Sequence, residues 1–300
     1  MVSITKKRVK GTDYYYLSYS YRENNKVKLI EKAIGREIPS DLSKIQEELI
    51  YDIFSKRWLT IIEKIKQKYK LTLKKMPNPL KEKNLRDFGI RFTYNTNKIE
   101  GSSLTLRETA LVIDEKEVSI NKPTNDINEA QCHYLCYEEM IKTNTELSMD
   151  LIINWHKKLF SFHPNKESLA GVIRKDQIFI SGSDFVPPPP KKVKGLLDKL
   201  FFWYNNKKNY LNPVLLACLM KFRFVSIHPF LDGNGRMSRL LMNYILYKNN
   251  YPMFNISADI RKTYYRALEK AQIGYSLKGD EMPFIGWFFK NYIKESEKKL

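Results

Sequence analysis

The stretch Val214 to Ile227, VLLACLMKFRFVSI, constrains this chain more than any other. Read as a helix it makes about four turns and is apolar on nearly every side. A helix of that kind has no face for solvent and has to sit inside a layer of other helices. Pro229 forbids its continuation, so the segment ends at His228. The rest of the chain supplies the surrounding layer. Helical spacing of apolar residues is read over Glu82–Asn95, Leu106–Asp114, Asn125–Thr143, Ser148–Phe160 and Val193–Asn206. It continues over Pro213–Ile227, Arg236–Lys248, Arg261–Ile273 and Met282–Lys298. The expected class is mainly α, a helical bundle with two small β elements.

Those β elements lie at known breaks. Residues 1–38 form an N-terminal β-hairpin region, because Asp13 to Ile34 alternates through tyrosines around an Asn24-Asn25 turn and closes at Gly35. Residues 39–83 read as a long helix and linker, opened by Ser43 and Gln46 as a capping box and kept in period to about Tyr69. Residues 84–300 form one helical domain, interrupted at 171–190. There Gly171 to Val186 alternates around Gly182-Ser183 like a short exposed hairpin, and Pro187 to Pro190 runs extended.

Composition narrows the function classes. No apolar run reaches the roughly 18 residues of a membrane span, and Met1 to Gly11 is basic without an apolar signal core. Cys132, Cys136 and Cys218 lack the further Cys or His that a metal site needs, so they are read as thiols of a soluble protein in a reducing, cytoplasmic setting. The net charge of +19 admits a nucleic-acid partner, but no block is as dense as a basic arm, and a solvating lysine coat is favoured.

The chemistry concentrates immediately after the apolar helix, in His228-Pro-Phe-Leu-Asp-Gly-Asn-Gly-Arg-Met-Ser-Arg239. Gly233 and Gly235 permit positive φ and let a ligand approach backbone N–H groups at a helix start, which makes an anion site. Arg236, Arg239 and Asn243 share one face of that helix, so both guanidinium groups are expected on one phosphate chain. Asp232 offers the hard oxygen that a phosphate-bound Mg²⁺ wants. His228 is the group able to take a proton near neutral pH. The set describes phosphoryl or nucleotidyl transfer from a magnesium nucleotide.

The order of those residues resembles the complete signature of the Fic-domain family, H-x-F-x-[DE]-G-N-G-R-x-x-R. Most members with the intact motif transfer AMP from ATP to a Ser, Thr or Tyr hydroxyl of a protein. The resemblance implies His228 as general base, Asp232 as Mg²⁺ ligand and Phe230 as the anchor of the loop. It implies Gly233, Asn234, Gly235, Arg236 and Arg239 as phosphate holders. It extends from about Asn84 to Lys294, making 84–300 the Fic domain and 171–190 its flap, the segment that clamps a target protein by strand addition. The segment from Tyr264 to Gln272 resembles the helix lining the adenine and ribose pocket, through Tyr264, Tyr265 and Gln272, although the family commonly has Asn where Gln272 stands.

Upstream, Thr96-Asn-Lys-Ile-Glu100-Gly101 resembles the family's inhibitory motif [ST]-x-x-x-E-[GN], on a helix at about 84–101. A Glu100 carboxylate paired with Arg239 would keep that arginine from a γ-phosphate. The expectation is a self-inhibited protein adenylyltransferase that uses ATP and Mg²⁺. Its rivals are removal of AMP or transfer of another phosphate-containing group at the same site, and a nucleotide-responsive module binding nucleic acid or protein. A homodimer is also open at this stage.

Overall fold

The computed structural model describes residues 2–114, 121–162, 167–278 and 280–298. Three strands come first: β1 (Val2–Val9), β2 (Thr12–Glu23) and β3 (Lys26–Gly35), antiparallel in the order β1-β2-β3. The expected hairpin is β2–β3, turned at Asn24 and Asn25 with φ of 49° and 61°. The added strand β1 was hidden because it is an edge strand whose side chains, Lys6, Lys7 and Arg8 among them, are mostly exposed and polar. The sheet does not stand alone. Leu17, Tyr19 and Ile30 on its inner face are buried against the helices, and Arg57 lies over Tyr21 and Trp58 while donating to the Tyr19 hydroxyl at 3.0 Å.

Two helices, α1 (Ser43–Arg57) and α2 (Leu59–Lys75), replace the expected single one. The break falls at Trp58, whose ring stacks on Phe289 with centroids 4.5 Å apart. The expected capping box does not form either. Leu42 takes the cap position, and Asp41 accepts the Ser43 amide at 2.8 Å. Helix α3 (Asn78–Glu100) starts with Pro79 in its first turn, outruns the Asn95 read from apolar spacing by more than a turn and ends where the upstream motif placed its helix, at about 101. It stops at Gly101, whose φ of 110° is left-handed. Glu100 is thereby its last residue.

The helical body continues with α4 (Leu106–Asp114), α5 (Thr124–Lys142), α6 (Met149–Leu159) and α7 (Pro190–Lys207). It is completed by α8 (Pro213–Ile227), α9 (Asn234–Lys248), α10 (Arg261–Lys278) and α11 (Met282–Glu297). Helix α8 is the interior element expected: every residue but Pro213 and Arg223 is buried, and the side chain of Asn212 caps it by accepting the Val214 amide at 2.9 Å. Helices α7, α9 and α11 pack around it. All three cysteines are free and buried. No helix of the described residues is long and apolar enough to cross a membrane.

The flap departs from expectation in kind. Among the described residues only β1–β3 form a sheet, so Gly171 to Val186 is not a hydrogen-bonded hairpin. It is an extended excursion turned at Ile180–Ser183, where Gly182 has φ of 75°. Side chains hold it instead: Gln177 donates to the Ile178 and Pro187 carbonyls at 3.0 and 3.1 Å.

Candidate active site

The site grows out of the end of α8. His228 leaves the helix in a left-handed conformation, φ 53°, and Pro229 follows, so the chain turns away from the helix axis here. Phe230 is fully buried and anchors the turn. Asn234 closes it, accepting the Phe230 amide at 2.9 Å and donating to the Phe230 carbonyl at 2.8 Å. The Asn234 side chain therefore shapes the loop, and only its backbone remains for a phosphate. Gly233, with φ 80°, precedes α9 as a cap that has no side chain. A helix start without a side-chain cap leaves its first N–H groups for a ligand.

These residues face a cleft of about 640 Å³. His228, Asp232, Gly235, Arg239 and Glu100 line one part, and Tyr264, Tyr265 and Gln272 another, with Ile178 to Ser183 of the flap above. The residues expected at the nucleotide are thus brought to one place, with one correction. Arg236 does not line the cleft. It is 2% exposed, pairs with Glu129 at 2.9 Å and Asp232 at 3.3 Å, and lies over the Phe160 ring. Asn243 likewise turns inward, bonded to both polar backbone atoms of Phe254. An α-helical face spans more than one environment, and these three side chains of one face find three different partners.

Arg239 is the arginine that meets the cleft, and it is occupied. Its Nη2 donates to Glu100 at 2.6 Å, its Nε to the Thr96 hydroxyl at 2.6 Å, and Nη2 again to the Thr96 carbonyl at 3.2 Å. The two defining positions of the upstream motif, Thr96 and Glu100, one helical turn apart, thus converge on one guanidinium. The Glu100 carboxylate also lies over the start of α9: a Cβ added at Gly235 would come within 2.4 Å of its Oε1. It sits where an anion would approach the helix N-terminus.

The His228 ring is pushed down to about 4, chiefly by burial, with the Val225 carbonyl acting the other way. It is neutral at physiological pH and able to accept a proton. Behind the cleft, Lys221 is fully buried and donates to the Tyr264 hydroxyl at 2.7 Å. Burial holds its amine well below the usual lysine range. Tyr264 is buried, Tyr265 is 41% exposed, and Gln272 donates to Ser226 at 3.3 Å. Asp232 is partly exposed at the rim, and its Oδ1 accepts the Gly233 amide at 2.6 Å. No cluster of three or more metal-ligating side chains occurs among the described residues. A single rim carboxylate fits the way Mg²⁺ is held with a nucleotide, where phosphates and waters supply most ligands.

Four contributors carry no motif. Arg174, 2% exposed, straps the flap to the loop: its Nε donates to the His228 carbonyl at 2.7 Å and its amide to that of Pro229 at 2.9 Å. Glu269 on α10 holds the flap turn, accepting from the Ser183 hydroxyl at 2.6 Å and the Asp184 amide at 2.8 Å. His156 on α6 stacks on Phe230 with centroids 3.7 Å apart. Lys221 is the fourth. Only Lys221 stands out in the sequence, as a lone charge between apolar neighbours; Arg174, Glu269 and His156 sit beside other polar or charged residues.

A buried helix thus delivers a neutral histidine to the start of α9, beneath the flap. Residues 146–246 match the profile of the Fic/DOC family. It is 33% identical over 198 residues to the protein adenylyltransferase Fic of Nematostella vectensis, covering 64% of this chain and 44% of the relative. It is 29% identical over 213 residues to protein adenylyltransferase fic-1 of Caenorhabditis elegans, covering 69% of this chain and 40% of the relative. The chain thus spans less than half the length of these curated relatives. Among solved structures, a Fic domain containing signaling protein from Bacteroides thetaiotaomicron superposes with a TM-score of 0.70 at 26% identity, over 79% of this chain and 94% of that one. Fic-1 of C. elegans shares the fold, with a TM-score of 0.69 at 22% identity over 87% and 76% of the two chains. Glu100 and the residues of α10 lie outside the matched family span.

Proposed function

We propose that this chain is a protein adenylyltransferase that moves AMP from ATP to a Ser, Thr or Tyr hydroxyl of a target protein. The observation that carries the reading is the convergence of a neutral His228, the open start of α9 and Arg239 on one cleft beneath the flap. The target hydroxyl oxygen attacks the α-phosphorus as its proton passes to the His228 ring. The bond from that phosphorus to the bridging oxygen breaks, and pyrophosphate leaves. Backbone N–H groups of the α9 start and Arg239 hold the phosphates, while Tyr264, Tyr265 and Gln272 border the nucleoside end. Asp232 would hold Mg²⁺, whose charge offsets that of the phosphates. The target docks along the flap, and the free, buried cysteines fit work in the reducing cytoplasm.

In the arrangement described the site is self-inhibited, because Glu100 occupies Arg239 and the space over Gly235. Self-labelling with ATP radiolabelled at the α-phosphate tests the whole reading. Glu100→Gly should raise the signal and His228→Ala should abolish it. Labelling that survives His228→Ala refutes the base. Mass spectrometry separates AMP from any other transferred group by the mass added. The same measurement on an AMP-modified protein, with Glu100 intact, tests the reverse reaction.

A further inference from the structure

We propose that His156 is a positioning residue that sets the height of the phosphate loop against the flap, coupling the two substrates' seats through one neutral imidazole. The proposal rests on the transfer reading above only in what the coupling is for, since its test reads binding and exchange without turnover. His156 is fully buried in the last turns of α6. Its Nδ1 accepts the Gly171 amide at 2.8 Å, and a backbone N–H can only be met there by a lone pair. The proton of the neutral ring is therefore on Nε2, which donates to the Asp232 carbonyl at 3.0 Å.

Each end of the imidazole holds a different functional part. Gly171 begins the flap in a left-handed conformation, φ 74°, and lies so close to α6 that a Cβ there would come within 2.7 Å of Lys157. Asp232 carries the rim carboxylate, and its carbonyl belongs to the loop whose next residue, Gly233, opens α9. Gly233 in turn is packed so closely that a Cβ would meet Leu159 and Phe160 at 3.1 Å and His156 Nε2 at 3.3 Å. The ring face completes the seat by stacking on Phe230 at an interplanar angle of 17°. Flap base and phosphate loop thus rest on the same turns of one helix, with His156 bonded to both. A displacement of either is passed to the other through a rigid ring. The distance between a hydroxyl held on the flap and a phosphate held on the loop is the quantity so controlled, and small errors in it are costly to transfer.

Two near-isosteres separate the arms. The side-chain oxygen of His156→Asn reaches the Nδ1 position and can accept from Gly171, but leaves Asp232 without a donor. The amide nitrogen of His156→Gln reaches the Nε2 position and can donate to Asp232, but leaves Gly171 without an acceptor. Both are made in the full chain on a Glu100→Gly background. Affinity for an ATP analogue reads the loop arm, and amide exchange of the segment containing Gly171 reads the flap arm. The expected split is about tenfold weaker nucleotide binding with exchange unchanged for Asn, and about tenfold faster exchange with binding unchanged for Gln, the size of one lost buried hydrogen bond. A packing role alone would move both readouts together in both variants, and that result overturns the proposal. The unmodified chain gives an independent check by ¹⁵N NMR. The Nε2-protonated tautomer of His156 is expected, and the Nδ1-protonated form overturns the proposal whether or not either variant folds.

Discussion

Replacing Glu100 by glycine removes the carboxylate that Arg239 contacts at 2.6 Å and clears the space over Gly235. A hydrogen bond between charged partners contributes about 1.5–3 kcal/mol. A third of the Glu100 side chain is exposed, so the lower half of that range applies after screening. Taking about 2 kcal/mol, a phosphate competing for Arg239 gains about 30-fold in affinity once the carboxylate is gone. Glu100→Gln refines the test. It keeps the shape and one accepting oxygen but loses the charge, which removes about half the interaction and predicts a gain of about fivefold. Titration of an ATP analogue into the three proteins measures the order Gly, then Gln, then the parent. Binding in parallel with self-labelling would follow if Arg239 is the contested group. Equal affinity of the parent and Glu100→Gly refutes competition for Arg239. Glu100→Gln as tight as Glu100→Gly would locate the inhibition in charge alone. Glu100→Gln as weak as the parent would locate it in the volume over Gly235.

Three further outcomes follow from the same contacts. His133, His156 and His228 are all held below the ordinary histidine range by burial, His156 and His228 to about 4. The unfolded chain therefore binds protons that the folded one does not between pH 6.5 and about 4, so stability is fully present above 6.5 and falls as the pH is lowered. With about three protons taken up on unfolding the slope approaches about 4 kcal/mol per pH unit, and urea melts between pH 7 and 4.5 that show flat stability would refute it. Glu269→Ala frees Ser183 and Asp184 and should speed amide exchange at the flap turn while nucleotide affinity holds. An unchanged exchange rate there would show that Glu269 does not hold the flap. Lys221→Met replaces a buried amine with no carboxylate partner by an apolar side chain of similar length, and should raise stability by about 1–3 kcal/mol. A fall in the urea midpoint would mean that the bond to Tyr264 outweighs the desolvation.

Much of this architecture could be read in advance, and for a physical reason. The apolar run at 214–227 permits only an interior helix, and the residues after it carry their chemistry within twelve positions. Order along the chain is then nearly order in space. The upstream motif was legible on the same terms, because Thr96 and Glu100 are one helical turn apart and therefore reach one guanidinium. Local pattern misled where tertiary contacts decided the outcome. Trp58 breaks a helix that periodicity continues, by stacking on Phe289. The alternation of 171–186 suggested paired strands, yet the Asp176 and Ile178 carbonyls and the Asp184 amide go to the side chains of Arg174, Gln177 and Glu269 instead.

The residues that position the site were the least legible, and their contacts show why. His156 reaches Asp232 across 76 positions, Arg174 reaches His228 across 54, and Arg239 reaches Thr96 across 143. Such pairings leave no spacing to recognise. They also divide the labour by charge. Arg239 and Asp232 line the cleft and are the groups proposed to answer to what binds. Of the two that tie flap to loop, His156 is a neutral ring, and Arg174 delivers its guanidinium to backbone carbonyls rather than to a carboxylate. A strap built that way does not depend on the partner of Arg239, so on the proposed reading the Glu100 pair can be released at one guanidinium without disturbing the seat of flap and loop.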